Sequence, residues 1–393
     1  MPSYGAGGPQ RAIHTHEPLR LGAESLAEWV TRRLGDFSYI AAVSLSAPLE
    51  PPLAFHEARP MNLDSWTVRL WSRILNDPRD AIFMNLGSAI ALTMWPVAGL
   101  LFYLGSFSWW WLAVHAVAFA LWVDRYTLML HCISHRPIFN RRFKFLSGSI
   151  EWLVGTFMGQ TPTAYAVHHL GMHHREGNLP KDLSTTMPYR RDKLTHWLHY
   201  WGRFMTIGLF ELLRYHHKGG RTKMVQKLLV GELGYWAIVM ALAYFVSWQA
   251  TLVVFVIPVI AMRTLMMAGN WGQHAFVDQA SPDCDFRNSI TCINSRYNRR
   301  CFNDGYHIIH HLKPNLHYTE MADEFAKNRS LYGKEDAIVF DGLDFFEVWL
   351  LLMLGRKDKL ASRFVQLPGA PVRDRAQILA LFEARLVPFS SAS

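Results

Sequence analysis

The stretch N-D-G-Y-H-I-I-H-H, from Asn303 to His311, places three histidines within a single short segment. If this stretch is helical, His307, His310 and His311 lie at positions i, i+3 and i+4, so their imidazoles share one face of one turn. Imidazoles grouped in this way are typical of metal ligands, although a solvated histidine-rich helix end would show the same spacing.

Two further histidine clusters precede this one in the chain. H-C-I-S-H contains His131 and His135 at i and i+4, and H-L-G-M-H-H contains His169, His173 and His174 at i, i+4 and i+5. Three such clusters in one chain favour a metal site assembled from distant segments over three unrelated solvated helix ends.

The composition is that of a membrane protein. Half of the 393 residues are apolar, and 15 Trp and 24 Phe are more than a soluble chain usually carries. The first fifty residues contain no basic-then-apolar leader, so we expect no secretory signal. The four cysteines form no C-x-x-C pair, which favours free thiols in a reducing compartment.

The net charge of +9 raises the question of an anionic partner. No basic-aromatic array or nucleic-acid-binding motif accompanies this charge, so no nucleic-acid partner is expected. Anionic lipid or an acidic protein partner agrees better with the sequence.

Uncharged runs predict four membrane spans. The 24 residues from Ala81 to Leu104 carry no charge and, at about 1.5 Å per residue, are long enough to cross a bilayer of about 30 Å. The uncharged run 233–262 is too long for one span, and it makes room for two when it is extended on both sides. The predicted spans are about 81–104, 107–130, 228–247 and 249–270.

These spans define an all-α membrane protein with a cytoplasmic helical cap. We expect an N-terminal segment, 1–65, that is partly disordered, a membrane domain, 66–320, and a helical C-terminal region, 321–393, with an amphipathic helix near Phe345. The segment between the two span pairs contains fifteen Lys and Arg, and the positive-inside rule places it in the cytoplasm. Both termini and all three histidine clusters then lie at the cytoplasmic face.

In their order and spacing, the three clusters resemble the histidine boxes of the membrane fatty-acid desaturase and hydroxylase superfamily. The resemblance covers roughly residues 80 to 320. It extends to N-W-G-Q-H, in which Asn270 precedes His274 by four residues. In the stearoyl-type desaturases a similar pair supplies one direct ligand and one that acts through water, and by that resemblance His274 joins the site as a ligand and Asn270 acts through water.

The resemblance implies a di-iron centre held by nine histidines, namely His131, His135, His169, His173, His174, His274, His307, His310 and His311. Nine imidazoles exceed the three or four protein ligands of a zinc site and are enough for two metal ions. Nitrogen ligands suit iron that changes oxidation state, and O₂ is then the co-substrate. His168, beside His169, is a competing candidate that the family pattern does not select.

Several charged residues near the boxes are candidates for supporting the ligands. Asp124 and Arg263 share a helical face with His131 and His274 respectively, and they are expected to pair with each other unless Arg263 extends to the membrane surface. Asp304 is expected to orient an imidazole or to cap a helix. Glu176 and Asp182, which follow the second box, are interpreted as structural residues.

The function implied is O₂-dependent oxidation of an unactivated C–H bond in a long lipid chain, most simply fatty acyl desaturation. Hydroxylation and oxidative decarboxylation on the same site are the alternatives, and a zinc-dependent membrane hydrolase is a more distant one. The chain contains no H-P-G-G haem signature. A separate ferredoxin or cytochrome b5 is therefore expected to supply electrons.

Overall fold

The computed structural model describes residues 57–59, 61–104 and 109–389, and within these ranges the chain is mostly helical. Most of the expected N-terminal segment, 1–65, and the expected turn at 105–108 lie outside the described residues. The helical fold class predicted from the sequence is confirmed.

The helices are numbered in chain order. The segment 164–176, called α4, consists of Ala164–His168, a π-helical turn His169–His173, and His174–Glu176. The other α-helices are α1 (Trp66–Trp71), α2 (Ala81–Leu104), α3 (Trp109–His135), α5 (Leu194–Thr206), α6 (Gly208–Lys218), α7 (Thr222–Phe245), α8 (Trp248–Gln273), α9 (Asp285–Asn288), α10 (Arg296–Arg300), α11 (His307–Leu312), α12 (Met321–Lys334), α13 (Phe345–Met353), α14 (Lys357–Ala361) and α15 (Arg375–Leu386).

Shorter helical turns connect these helices. They are the 3-10 turns Pro78–Asp80, Arg141–Gly148, Gly155–Met158 and Tyr318–Glu320, and the π-helical turn Ile150–Val154.

Four helices, α2, α3, α7 and α8, are long and apolar enough to cross a membrane, as predicted. The second of them, α3, is longer than the predicted span 107–130, because it continues to His135 and so includes the whole first histidine box. A π-helical turn, Leu252–Val256, lies in α8 just before Pro258. Such a turn accommodates the carbonyl that proline, which has no N–H, leaves without a partner.

A small parallel sheet was not predicted. Strands β1 (Ile290–Ile293) and β2 (Ile338–Asp341) pair with Ile290 opposite Ile338. All four residues of β1 are buried, and β1 lies against α11, which carries the third histidine box. The sheet therefore packs against the helix that carries the third box and helps to fix its position.

The C-terminal region packs on the end of α8. Helix α13, predicted near Phe345, lies along α8. Beyond α8, Phe276 packs with Phe340 of β2 and Phe382 of α15 in one buried apolar cluster. This packing fixes the position of the chain immediately after α8, where His274 lies.

Candidate metal centre

The loop before the third histidine box is fixed by hydrogen bonds of the Asn303 side chain and by close backbone packing at Gly305. Asn303 has a left-handed backbone (φ 55°), and its side chain bonds the backbone of Ala58 and the carbonyl of Tyr318. At Gly305, a Cβ atom would lie 2.2 Å from the carbonyl oxygen of Cys292, so only glycine fits. Helix α11 then starts at His307 in a fixed position.

The other histidines come from three separate elements. His131 and His135 occupy the last turns of α3, and His169 and His173 lie on the π-helical turn of α4. His274 follows the last residue of α8. The cluster-bearing ends of α3 and α8 and the third box therefore meet at one place, as the span count predicted.

Five imidazoles form the first group, called the five-histidine group. The Nε2 atom of His310 lies 2.8 Å from that of His131 and 2.7 Å from that of His174. The Nε2 atom of His169 lies 2.9 Å from that of His135 and 3.1 Å from that of His174. One nitrogen from each residue lies within 4.8 Å of one nitrogen from every other.

Four imidazoles form the second group, called the four-histidine group: His173, His274, His307 and His311. The Nε2 atom of His307 lies 3.3 Å from that of His274 and 3.0 Å from that of His311. The two groups adjoin, because the rings of His174 and His311 stack with centroids 4.9 Å apart.

Three hydrogen bonds set which ring nitrogen carries the proton. The Nδ1 atom of His131 lies 3.0 Å from Oδ1 of Asp304, that of His173 lies 2.7 Å from Oδ2 of Asp182, and that of His274 lies 2.9 Å from the carbonyl oxygen of Asn288. A carboxylate or carbonyl oxygen only accepts, so each Nδ1 donates. The lone pair of each ring is then on Nε2. The Nε2 atoms of His131 and His274 lie beside Nε2 of His310 and Nε2 of His307 respectively, within their groups.

Burial keeps four of the nine histidines neutral. It lowers the pKa of His274 to about 4, and it lowers the pKa values of His169, His307 and His310 well below the usual range. Neighbouring imidazoles act in the same direction, because a proton on one ring disfavours a proton on the next. Neutral imidazoles have the free lone pairs that a metal ion needs.

The donor sets fit metal ions. At metal–nitrogen distances of about 2.1 Å, two nitrogens at right angles around one ion lie about 3.0 Å apart, and two opposite nitrogens about 4.2 Å apart. The nitrogen separations of 2.7 to 3.3 Å in the two groups are close to the first value. Five nitrogen donors in one group exceed the four of a structural zinc site.

Asn270 and His168 lie beside the two groups and are members of neither. The Nδ2 atom of Asn270 donates to the hydroxyl of Tyr200 (2.7 Å) and to the carbonyl of Ser184 (3.0 Å). Its Oδ1 atom is the only side-chain atom left that could accept from a water. The ring of His168 packs edge-on against Phe204.

The expected pairing of Asp124 with Arg263 is wrong. Asp124 pairs with Arg300 at 3.0 Å, and Arg263 pairs with Glu232 at 3.0 Å. Within the described ranges, neither Asp124 nor Arg263 is hydrogen bonded to a histidine of the two groups. A shared helical face was insufficient evidence, because seven residues are about 10 Å and eleven residues about 16 Å along a helix.

Asp182, which the sequence predicts to be a structural residue, hydrogen bonds a ligand candidate in the structure. It is buried and accepts from His173, from the backbone N–H of Asn178 (2.9 Å), and from the backbone N–H and hydroxyl of Ser184 (2.7 and 2.6 Å). The available signal was an acidic residue in the loop just after the second box. The carbonyl of Asn288 has no sequence signal, because every residue has a carbonyl.

Asp304 offers a direct test of this ligand support. The variant Asp304→Asn keeps the size of the side chain and removes its charge. We expect metal affinity or turnover to fall by about 10- to 100-fold, as is typical when a partner of a ligating histidine is changed. Iron per chain and product per chain are the measurements.

The control for Asp304→Asn is Asp283→Asn, which removes one negative charge from an exposed position. It is expected to behave as the wild type. Equal iron and equal turnover in the Asp304→Asn protein would show that the carboxylate does not support His131.

A cavity of about 370 Å³, called the main cavity, adjoins both groups. Apolar residues of α3, α8 and α13 form much of its surface, including Leu128, Met267 and Phe345. Four ligand candidates line it as well: His131 and His169 from the five-histidine group, and His173 and His307 from the four-histidine group. An apolar molecule in this cavity would lie against both groups at once.

Comparison with known proteins agrees with this arrangement. The family model described as fatty acid desaturase matches residues 108–342, which is more than half of the chain and includes all nine histidines. Searches of curated proteins and of solved structures gave no match. The chain, with four helices long and apolar enough to span a membrane and two converging groups of histidines, therefore belongs to the fatty acid desaturase family of membrane-bound di-iron oxidoreductases.

Proposed function

We propose that this enzyme uses O₂ to remove two hydrogens from neighbouring carbons of a long lipid chain, most simply a fatty acyl chain. The observation that carries this proposal is the main cavity, which is apolar along most of its surface and lined by histidines of both groups. Hydrocarbon has no group that hydrogen bonds, so a chain in this cavity is positioned by shape alone.

The reaction balances with one separate electron donor. Desaturation breaks two C–H bonds and forms a second bond between the two carbons. One O₂ is reduced to two waters by two electrons from the substrate and two from the donor, with two protons taken from solvent. A ferredoxin or a cytochrome b5 is the class of donor that we propose.

We propose that the five-histidine group and the four-histidine group each hold one iron ion. Asn270 is proposed to act, through a water, on the iron ion of the four-histidine group. Iron bound there supplies the capacity to activate O₂. The protein's own contribution is to fix the ligands. Asp304, Asp182 and the carbonyl of Asn288 keep three rings in one tautomer, and the cavity keeps water from the chain.

Electrons are proposed to enter where the ligand rings reach the surface. Of the nine histidines, His135, His174 and His311 are partly exposed, and the other six are buried. His174 belongs to the five-histidine group and His311 to the four-histidine group, and their rings stack. A donor bound over this pair would be near both groups at once. Loss of donor-supported turnover with retained iron in an Arg175→Glu variant, next to His174, is the expected result.

The test of the reaction is mass spectrometry of lipids from cells that express the chain, compared with cells that carry an empty vector. A new product lighter by two hydrogens would identify a desaturase. A product heavier by one oxygen would identify a hydroxylase instead, and one shorter by a carbon would identify a decarboxylase. No new lipid, from a protein that holds iron and receives electrons, would contradict the proposal.

We also propose that the metal centre and both chain ends face the cytoplasm, as the basic segment between the span pairs indicates. A cysteine at the exposed position Val246, at the end of α7 remote from the histidines, should react with an impermeant reagent outside sealed cells. A cysteine at exposed Lys223, at the other end of α7, should react only after permeabilisation. The reverse pattern would place the metal centre outside.

A further inference from the structure

A second cavity lies beside the main cavity. This side cavity has a volume of about 50 Å³ and is lined mainly by residues of α4 to α8, with Leu209 and Leu212 of α6 and Leu228 of α7 among its apolar residues. No histidine of the two groups lines it. It is therefore separate from the metal centre, although it adjoins the cavity that the metal centre faces.

Four side chains line both cavities and separate them: Tyr165, His168, Phe204 and Met266. Tyr165 stacks on His169 of the five-histidine group, with ring centroids 5.0 Å apart, and His168 is the neighbour of His169 in the chain. Phe204, on α5, is outside every segment that carries a ligand candidate. It is thus the member of the partition that can be changed without moving a ligand.

The ring of Phe204 is held in place from two sides. It meets the ring of His168 edge to face, with centroids 5.7 Å apart and an interplanar angle of 87°. On the other side it lies over Gly208, where a Cβ atom would be only 3.3 Å from a carbon of the ring. Edge-to-face aromatic contact and close packing favour one orientation of the ring.

The charged groups of the side cavity are already paired with each other. Glu232 lies 3.0 Å from Arg263, and it also accepts from the hydroxyl of Thr161 (2.6 Å) and the indole N–H of Trp236 (3.2 Å). A second carboxylate would compete with Glu232 for Arg263, and its desolvation would remain uncompensated. The cavity consequently suits an uncharged, apolar group.

We propose that the lipid chain lies in the main cavity with its methyl end against the partition, and that Phe204 keeps this end out of the side cavity. This inference rests on the proposed function. With the methyl end stopped at Phe204, the carbons that lie against the histidine-lined wall are at a set distance from that end. Phe204 then determines which C–H bonds are oxidised and how long a chain is accepted.

The variant Phe204→Ala tests this inference, because it joins the two cavities. The chain should slide further in, so that the oxidised carbons lie further from the methyl end, or longer chains should become substrates. Leu209→Ala is the matched control: Leu209 lines only the side cavity, so the partition stays closed and the products should match those of the wild type. Phe204→Leu, a smaller change, serves if the alanine variant does not fold.

The measurement is the position of the oxidised carbons in the products, determined by mass spectrometry for each variant. Unchanged positions together with an unchanged range of chain lengths in an active Phe204→Ala enzyme would overturn the inference. A shift toward the methyl end would also overturn it, because it would mean that the other end of the chain faces Phe204.

A binding measurement separates failure of this inference from failure of the proposed function. The melting temperature of the purified full chain in detergent is recorded with saturated fatty acids of graded length, from lauric to arachidic acid. Stabilisation should extend to longer acids in Phe204→Ala than in the wild type, even if no oxidised lipid is found. The same length profile in both proteins would show that Phe204 does not close the site.

Discussion

The His310→Ala variant is expected to make no oxidised lipid and to lose iron. His310 is the only residue of the third box in the five-histidine group, and its Nε2 atom is within 2.8 Å of the Nε2 atoms of both His131 and His174. Its removal takes one nitrogen donor from the five-histidine group and leaves four to hold the metal ion. We expect turnover to fall by more than the roughly 100-fold that changes outside the ligand set produce.

Lipid mass spectrometry and iron per chain measure this effect. The matched control is His199→Ala, since His199 is an exposed histidine outside both groups, and it should retain product and iron. Product at the wild-type level in the His310→Ala enzyme would remove His310 from the site.

Asn270 and His274 are expected to differ in the damage that their loss causes. His274→Ala should abolish turnover and lower iron content, because the Nε2 atom of His274 points into the four-histidine group and its Nδ1 atom is anchored by the carbonyl of Asn288. Asn270→Ala should keep most of the iron and lose about 10- to 100-fold in activity, since it is proposed to act through a water.

Iron per chain and product per iron separate the two effects. Tyr200→Phe is the control for Asn270, because it removes the hydroxyl that accepts from the Asn270 side chain and leaves Asn270 itself. If Asn270 only stabilises the end of α8 through this hydrogen bond, Tyr200→Phe should reproduce much of the loss of activity seen in Asn270→Ala. Values near those of the wild type for His274→Ala would remove it from the centre.

The spans and the convergence of the boxes could be predicted because the signals are local. An uncharged run of 24 residues, as in α2, specifies a span whatever surrounds it. The spacing of His131 and His135 specifies a shared face once the segment is helical. An even number of crossings then brings the ends of α3 and α8 together.

The division of the histidines between the two groups could not be predicted. His173 and His174 are neighbours in the chain but enter different groups, and so do His310 and His311. Consecutive residues of a helix point about 100° apart. The group that each ring enters therefore depends on where the other elements lie.

Asp304 was expected to orient an imidazole or to cap a helix, but the sequence could not show which imidazole it contacts. Asp304 supports His131 across 173 residues of chain, whereas Asp124, only seven residues from His131, pairs with Arg300. The sheet formed by β1 and β2 was missed because strands of four residues give too little alternation to detect.

The central claim is that the two groups of histidines hold two iron ions. Elemental analysis of the full chain, purified aerobically in detergent from cells supplied with iron, tests it most directly. The account predicts two iron ions per chain, falling in the His310→Ala and His274→Ala proteins. One zinc ion per chain with no iron would contradict it.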